Sequence, residues 1–354
     1  MTSQFRWSRL GWRALAALLI AGVLCGTDAA AADKVRVAIT TYGWSYVPVL
    51  ATEQLGFFKK EGLDAEIINT AGGAKAQAAL AGGSVEFFGA DAGFVLKSLQ
   101  RGNDILLVGA SMTEYATNIV ISAAWAKKHN LQESSPYADK LAALKGMTIG
   151  VLSRGSGHEQ LVRFIAKEAK VDADKEMSIT ALGTADAMTA AFVQGRIDGF
   201  VHSPPIGERA IKEHGGMLLF NMSKGEVKAL KGFLYTAHVV RASWAPAHRD
   251  IIVRYLRAQQ RGLDALHDPV QTKVARDKVR AAYFSKIDPA LWEYVWDNNI
   301  SAFPKTGEMT AQQMEQAAKL VNEFQNDPVP QSVVDKSWTN DYAAEAAKQL
   351  AAGK

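Results

Sequence analysis

Short apolar runs alternate with segments of helical spacing along the first third of the chain. The runs KVRVAIT, AEIINT, SVEFFGA and DILLVGAS read as strands. Between them, VPVLATEQLGFFKKEG, residues 74–80 and residues 92–100 have the apolar spacing of helices. Strands separated by helices predict a sheet with parallel strands and helices on both faces.

A second series of the same kind begins near residue 141. MTIGVL, SITAL and IDGFVH read as strands, and residues 159–169, 185–194 and 206–214 as helices. Residues 234–245 look extended, and the chain from Pro246 onward looks mostly helical.

The two series echo one another. ALAGGSVEFFGAD (residues 79–91) can be aligned with AFVQGRIDGFVHS (residues 191–203), so that Gly83 matches Gly195 and Asp91 matches Ser203. Each copy reads as a helix end, a glycine stop, a buried strand and a polar loop. The echo predicts two lobes of like construction, although two common αβ units could also match by chance.

The first 32 residues read as an export signal. Three arginines precede an apolar stretch over residues 14–24, and small residues at 29–32 suit cleavage before Asp33. The apolar stretch is too short to span a bilayer comfortably. We therefore expect a protein exported to the periplasm rather than one anchored in the membrane.

The only cysteine, Cys25, lies inside this signal and follows Leu24 instead of the small residue of a lipoprotein signal. The mature chain then has no disulfide, no thiol nucleophile and no thiolate metal site. The full chain carries 40 basic and 36 acidic residues, and removing the three arginines and one aspartate of the signal leaves 37 and 35. A net charge of about +2 gives no support to a nucleic-acid partner.

Loops at the ends of the predicted strands are the expected ligand site, since open α/β sheets bind ligands outside the carboxyl ends of their strands. These loops cover residues 40–46, 69–74, 89–94, 112–118, 153–158 and 202–208. Gly73 and Gly155–Gly157 open helices, whose free N–H groups favour an anion that glycine lets approach. Ordinary helix capping, for example by Ser156, is the alternative.

Aromatic residues crowd the first of these loops. Tyr42, Trp44 and Tyr46 suggest stacking on a planar ligand or packing against the flanking helix. If Trp44 holds the ligand, its removal weakens binding and leaves the melting temperature nearly unchanged. Asp91 is a helix N-cap or a ligand contact.

Enzyme and cofactor motifs are missing from the sequence. The run Arg154-Gly155-Ser156-Gly157-His158 lacks the first glycine of G-x-S-x-G, and no phosphate-binding G-x-x-x-x-G-K-[ST] occurs. The seven histidines show no H-x-x-x-H spacing. We predict no catalysis, no cofactor and no metal.

Four segments carry a family resemblance: VRVAITTYGWSYVPVLATEQLGFFKKEGLDAEII, GGAKAQAALAGGSVEFFGAD, LKGMTIGVLSRGSGHEQLVRFIAKEAKVD and AMTAAFVQGRIDGFVHSPP. With them the chain resembles the periplasmic solute-binding proteins of ABC importers for nitrate, sulfonates and taurine, including relatives that bind pyrimidine precursors of thiamine.

The resemblance implies an α/β fold of periplasmic binding protein type 2, in which each lobe is a mixed sheet flanked by helices. Lobe one would be residues 33–120 plus 238–354, and lobe two residues 121–237, with crossovers near 118–122 and 235–238. A ligand would sit in the cleft and close it by a hinge motion. The implied partner is a membrane permease, and the protein itself would be a monomer.

Carried over position by position, the resemblance implies a ligand site made of loop residues. They are Thr41, Tyr42, Gly43, Trp44, Gly73, Asp91, Ser153, Gly155, Ser156, His202 and Ser203. Gly155 stands where relatives often have proline. The expected ligand is a small organic anion such as a sulfonate, a carboxylate or nitrate. A thiamine-precursor pyrimidine or another heterocycle, a periplasmic enzyme and a sensory module are the alternatives.

Overall fold

The structure is a computed structural model, and it describes residues 32–324 and 327–353. The predicted export signal lies outside these residues, apart from Ala32. Among the helices of the described part, none is long and apolar enough to cross a membrane.

The strands of the described residues belong to two five-stranded sheets. They are β1 (Asp33–Ile39), β2 (Leu63–Asn69), β3 (Phe87–Asp91), β4 (Leu106–Met112), β5 (Asn118–Ile121), β6 (Thr148–Val151), β7 (Ser178–Ala181), β8 (Gly199–His202), β9 (Met217–Phe220) and β10 (Thr236–Val240).

Most α-helices in the first two thirds of the chain begin and end close to the predicted positions, but the helices over residues 123–128 and 137–142 were not predicted. The α-helices are α1 (Val47–Gln54), α2 (Phe57–Lys60), α3 (Gly73–Ala81), α4 (Ala92–Gln100), α5 (Ala123–Lys128), α6 (Tyr137–Ala142), α7 (Gly157–Glu168), α8 (Ala185–Val193), α9 (Ile206–His214), α10 (Arg249–His267), α11 (Gln271–Tyr283), α12 (Pro289–Asn299), α13 (Ala311–Glu323), α14 (Gln331–Lys336) and α15 (Asp341–Ala351).

The two sheets have the same strand order. The first runs β2-β1-β3-β10-β4 and the second β7-β6-β8-β5-β9. In each, one antiparallel strand, β10 or β5, is inserted next to the central parallel strand. Both sheets are therefore mixed, and this confirms the predicted fold class. The chain passes between the sheets twice, through residues 113–117 and 221–235. The lobe boundaries proposed above remain a prediction.

The two segments that align in sequence, residues 79–91 and 191–203, also have matching local structures. Glu86 and Asp198 each lie just before the central strand of their sheet, and each carboxylate accepts a bond from a neighbouring strand. Arg36 N donates to Glu86 Oε2 at 2.7 Å, and Thr148 N donates to Asp198 Oδ2 at 2.8 Å. The glycine stops are also alike, since Gly83 and Gly195 both have positive φ, +72° and +67°. Residues with a side chain rarely adopt this conformation.

One prediction about a helix was wrong, and two strands were missed. The segment VPVLATEQLGFFKKEG is not one helix, because Gly56 takes a left-handed conformation (φ +76°) and separates α1 from α2. The strands β5 and β9 were not predicted. Each has only four residues, all of them buried, and so shows no alternation of polar and apolar positions.

Trp44 lies in the core beneath the first sheet. Its ring contacts Trp292 and Trp296 of α12 and Phe303, with centroid separations of 5.9, 5.6 and 5.3 Å. Only 1% of its surface is exposed. The aromatic loop is therefore anchored by the C-terminal helices, whose contribution the local sequence does not reveal.

A buried polar cluster ties the end of α12 to the second sheet. Asn118 Nδ2 of β5 and Asn299 Nδ2 of α12 both donate to Glu208 Oε1, at 2.9 and 2.8 Å. Asn118 Nδ2 also donates to Asn299 Oδ1 at 2.9 Å. Burial raises the pKa of Glu208, and the two amide donors oppose this. The cluster joins α12 to β5 of the second sheet and to Glu208 of α9.

We predict that Trp44→Ala destabilises the free protein by about 3–5 kcal/mol, since it empties the centre of an aromatic core. Urea denaturation followed by circular dichroism measures this. Tyr42→Ala is the control, because Tyr42 is 42% exposed and stacks only on Tyr283. That variant should lose about 1 kcal/mol. Equal losses in the two variants would contradict the assignment of Trp44 to the core.

Candidate ligand-binding site between the two sheets

A cavity of about 290 Å³ lies between the carboxyl ends of the two central strands. We call it the inner cavity. Hydroxyl groups dominate its wall: Thr40, Thr41, Ser45 and Tyr46 come from the loop after β1, and Ser203, Tyr235 and Thr236 face them. Phe88 and Phe94 supply two rings, and Asp91 is the only ionisable carboxyl group among the lining residues. No lysine or arginine lines this cavity.

Tyr46 is held rigidly at the base of the inner cavity. Its hydroxyl donates to Gly89 O at 3.1 Å and lies 2.8 Å from Thr40 Oγ1. A Cβ atom on Gly89 would lie 2.9 Å from Tyr46 Cε1, so glycine is needed for the ring to approach. Burial raises the pKa of Tyr46, and its hydroxyl therefore stays neutral.

Asp91 connects strand β3 to helix α4. Its Oδ1 accepts a bond from Phe94 N at 2.8 Å and so caps the helix. Burial raises the pKa of Asp91 to about 6, and the N–H groups of Phe94 and Gly93 oppose this shift. Asp91 is thus both an N-cap and a lining residue of the inner cavity.

Hydroxyls from the two crossing segments meet at the inner cavity. Thr117 Oγ1 of the first segment lies 3.2 Å from Ser203 Oγ and 3.5 Å from the Tyr235 hydroxyl of the second. Burial, helped by the charge of Asp91, raises the pKa of Tyr235 to about 12. Of these three residues Ser203 and Tyr235 line the cavity, and Ser203, directly after β8, is the second sheet's contribution to the wall.

Thr236 has an unusual side chain. The residue is 5% exposed, its Oγ1 has no hydrogen-bond partner, and it lines the inner cavity. A buried hydroxyl without a partner costs free energy. Thr236 Oγ1 is therefore a buried hydroxyl in a wall residue of this cavity that still lacks a hydrogen-bond partner.

The sequence profile of the NMT1-like family matches residues 30–281. The chain belongs to the NMT1-like family. YtlA of Bacillus subtilis (strain 168) is 24% identical to it over 337 residues, covering 86% of this chain and 93% of YtlA.

Solved structures show the fold of this NMT1-like protein. The periplasmic aliphatic sulphonate binding protein SsuA from Escherichia coli superposes with a TM-score of 0.65 at 18% identity, over 87% of this chain and 92% of SsuA. The periplasmic nitrate-binding protein NrtA from Synechocystis PCC 6803 gives 0.63 at 13%, over 90% and 88%. The fold is that of periplasmic binding proteins, and the resemblance seen in the sequence is confirmed.

Four of the predicted site residues line the inner cavity: Thr41, Gly73, Asp91 and Ser203. The repeat alignment pairs Asp91 with Ser203, and the fold brings both to this cavity. The other seven predicted residues do not line it. A role in ligand binding stays a prediction for the four.

The aromatic loop needs a correction. Trp44 lies in the hydrophobic core, so the expectation that its loss leaves the melting temperature unchanged does not hold. Tyr42 stacks on Tyr283 at 5.1 Å, away from the inner cavity. Gly43 is extended (φ −148°), and its carbonyl accepts a bond from Tyr46 N at 3.0 Å. The loop presents Thr41, Ser45 and Tyr46 to the cavity.

The glycine loop before α7 also needs a correction. Gly155 N donates to Glu159 Oε2 at 2.6 Å, so this N–H group is not open to an anion. Ser156 Oγ caps α7 by accepting from Glu159 N at 3.3 Å, and it donates to Ser153 O at 2.7 Å. These three loop residues make a helix cap, which is the alternative that the sequence left open.

His202 does not line the inner cavity, although the next residue, Ser203, does. Its Nδ1 is 3.0 Å from Ser203 O, and its ring lies 5.4 Å from that of His158. Burial lowers the pKa of His202, and it lowers that of His158 to about 4. Both rings are neutral at pH 7 and offer no positive charge to an anion. Within the described residues, no group of three or more His, Cys, Asp or Glu side chains could hold a metal.

Several lining residues were missed. Tyr235 and Thr236 precede or begin β10, which reaches the first sheet only after the chain has built the second. Phe88 and Phe94 read as core positions of a strand and a helix. Tyr46 did stand out as an aromatic loop residue, and its spacing from Trp44 gave no way to tell which of the two faces the ligand.

We predict that Asp91 makes the free energy of unfolding fall as pH rises. Its pKa in the folded state is about 6, above the ordinary 3.8, so the folded state binds the proton more tightly. This stabilisation is complete below pH ~4 and is lost as pH rises through ~6, by roughly 3 kcal/mol at most. Urea denaturation between these limits should show a flatter pH dependence for Asp91→Asn. Asp186→Asn, on the exposed first turn of α8, is the control. Identical slopes in wild type and Asp91→Asn would contradict this account.

Proposed function

We propose that this protein is the solute-binding component of an ABC importer, and that it captures a small organic anion in the inner cavity within the periplasm. The observation that carries this proposal is that one hydroxyl-lined cavity lies at the carboxyl ends of both central strands, with most of its wall from the first sheet and its adjoining loops and with Ser203, directly after β8, from the second. Such a cavity closes around a solute when the sheets approach and releases it when they separate. A membrane permease would receive the solute.

Neutral donors support the choice of an anion. Hydroxyl and backbone N–H groups bind anions without a cationic side chain, and α3 begins at Gly73 in the cavity wall with its N–H groups unpaired by other helix residues. SsuA and NrtA are named for a sulphonate and for nitrate. Thr41, Gly73, Asp91 and Ser203, with Tyr46 and Thr236, are the contacts that we propose.

A heterocycle is the second candidate. Phe88 and Phe94 line the cavity and offer ring faces to a planar ligand. Asp91 accepts hydrogen bonds, and an amino-pyrimidine would donate them. An enzyme finds less support, because the nearest side-chain partner of Ser203 Oγ is Thr117 and not a base.

A panel of ligands tests the proposal directly. Purified protein is stripped of ligand and titrated calorimetrically with nitrate, taurine, 1-propanesulfonate, benzoate, MOPS and an aminopyrimidine. Binding of one or more anions, recovered chemically unchanged, supports the proposal. Binding of the aminopyrimidine alone would favour the second candidate. A converted product would replace both with an enzyme.

We predict that Thr236→Val weakens binding of the anion about fivefold to tenfold, because a hydrogen bond to the ligand is lost. The stability of the free protein should stay equal or rise, since an unpaired buried hydroxyl is removed. Titration calorimetry and urea denaturation measure the two effects.

Thr52→Val is the matched control. Thr52 is also buried, but its Oγ1 already donates to Pro48 O at 2.8 Å and it does not line the inner cavity. That variant should bind the anion like wild type. Unchanged affinity in Thr236→Val would remove this hydroxyl from the ligand site.

A further inference from the structure

A second cavity of about 420 Å³ adjoins the inner cavity. We call it the outer cavity. Asp91 and Phe94 line both cavities, so the two are neighbours along the start of α4. Its wall comes from helices that follow strands of different sheets, since α4 follows β3 and α7, with Gly157 and Gln160, follows β6. The two cavities are the inner and outer parts of one cleft.

The outer cavity differs from the inner one in charge. Lys97, in the last turn of α4, and Arg101, the exposed residue directly after this helix, line it. Lys97 Nζ donates to Gln100 Oε1 at 2.8 Å and to Asp327 O at 2.9 Å, which are uncharged oxygens. In the described part of the chain, neither Lys97 nor Arg101 forms an ion pair with a carboxylate. Two positive charges and one carboxyl group, that of Asp91, therefore line this cavity, and neither cation is ion-paired within the described residues.

The wall formed by α7 also favours a negatively charged ligand. Gly157 is the first residue of α7, a helix of 12 residues whose amino end adds a positive dipole to the outer cavity. Gln160 adds an amide that can donate hydrogen bonds. Lys167 Nζ of α7 forms an ion pair with Glu323 Oε1 of α13 at 2.5 Å, so these two helices are neighbours.

The inner end of the cleft has the opposite character. Asp91 is its only charged lining group, and no cation lines it. Asp91 borders both cavities and so does not distinguish them, but only at the outer end would a negative group also meet Lys97 and Arg101. Along α4, Lys97 follows Asp91 by six residues, which is about 9 Å of helix. An elongated anion would therefore bind with its negative end in the outer cavity, near Lys97 and Arg101.

From this arrangement we infer that the ligand is an organic anion in two parts. A neutral, hydrogen-bonding ring occupies the inner cavity between Phe88 and Phe94, and a short linker passes Asp91. The anionic group, a sulfonate, phosphate or carboxylate, lies in the outer cavity against Lys97 and Arg101. The inference rests on the proposed capture of an organic anion in the cleft. It places the anionic group at Lys97 and Arg101 of the outer cavity and leaves the neutral donors of the inner cavity to the uncharged part of the ligand.

MOPS is the probe, because a propyl chain joins its morpholine ring to a sulfonate. The titrations are run at alkaline pH, above the pKa of the morpholine nitrogen and below that of lysine, so that the ring is uncharged while Lys97 keeps its charge. Two shorter compounds separate its parts: 1-propanesulfonate lacks the ring, and 4-propylmorpholine lacks the sulfonate. Calorimetry at low salt should show that MOPS binds at least tenfold more tightly than either. The double variant Lys97→Gln/Arg101→Ala should bind MOPS at least tenfold more weakly than wild type and bind 4-propylmorpholine equally well. Its salt dependence for MOPS should also be smaller, since exposed charges are screened.

Arg196→Ala is the matched control, because Arg196 is an exposed arginine that lines neither cavity. It should bind MOPS like wild type, and thermal melting should show that all variants fold. Wild-type affinity for MOPS in the double variant would overturn the inference, and so would tighter binding of 1-propanesulfonate than of MOPS. Failure of every anion in the panel would instead refute the proposed function, and the inference with it.

Discussion

The register of the two central strands is the constraint on which the cleft depends. β3 pairs with β1 through Val37 and Phe87, and β8 pairs with β6 through Ile149 and Gly199. The carboxylates of Glu86 and Asp198, each bonded to a backbone N–H of the neighbouring strand, help to fix this register. A slip of one residue would turn every side chain of these strands to the other face. The polar residues at the strand ends would then leave the cleft.

The cavity between the strand ends is built from neutral groups whose protonation is stable. Burial keeps the hydroxyls of Tyr46 and Tyr235 protonated, and it keeps His158 and His202 uncharged at pH 7. Asp91 is the exception among the lining residues, with a pKa of about 6. Donors that do not change charge can bind and release a solute without a proton being transferred. This suits a protein that carries its ligand unchanged.

Helix caps explain why several loop residues were misjudged. A cap and an anion use the same unpaired N–H groups at the start of a helix, so a glycine-rich loop predicts either. At α7 the Glu159 carboxylate accepts a hydrogen bond from Gly155 N and so occupies a group that an anion would otherwise use. At α3 no side chain caps the first turn, and Gly73 stays in the cavity wall. The distinction depends on the rotamer of one side chain, and the pattern of residues does not encode it.

The alternation of apolar runs and helical segments determined most of the elements and the repeated αβ unit, and four sequence segments carried the resemblance to periplasmic solute-binding proteins. It also placed Thr41, Gly73, Asp91 and Ser203 at strand ends, because the carboxyl ends of parallel strands meet at one edge. Only the tertiary structure decided that Trp44 belongs to the core and that Tyr46 faces the cavity. Trp44 is buried by α12, about 250 residues further along the chain, and Thr236 reaches the cavity through β10. Contacts between distant segments leave no periodic signal in the local sequence, since each segment is consistent with several partners.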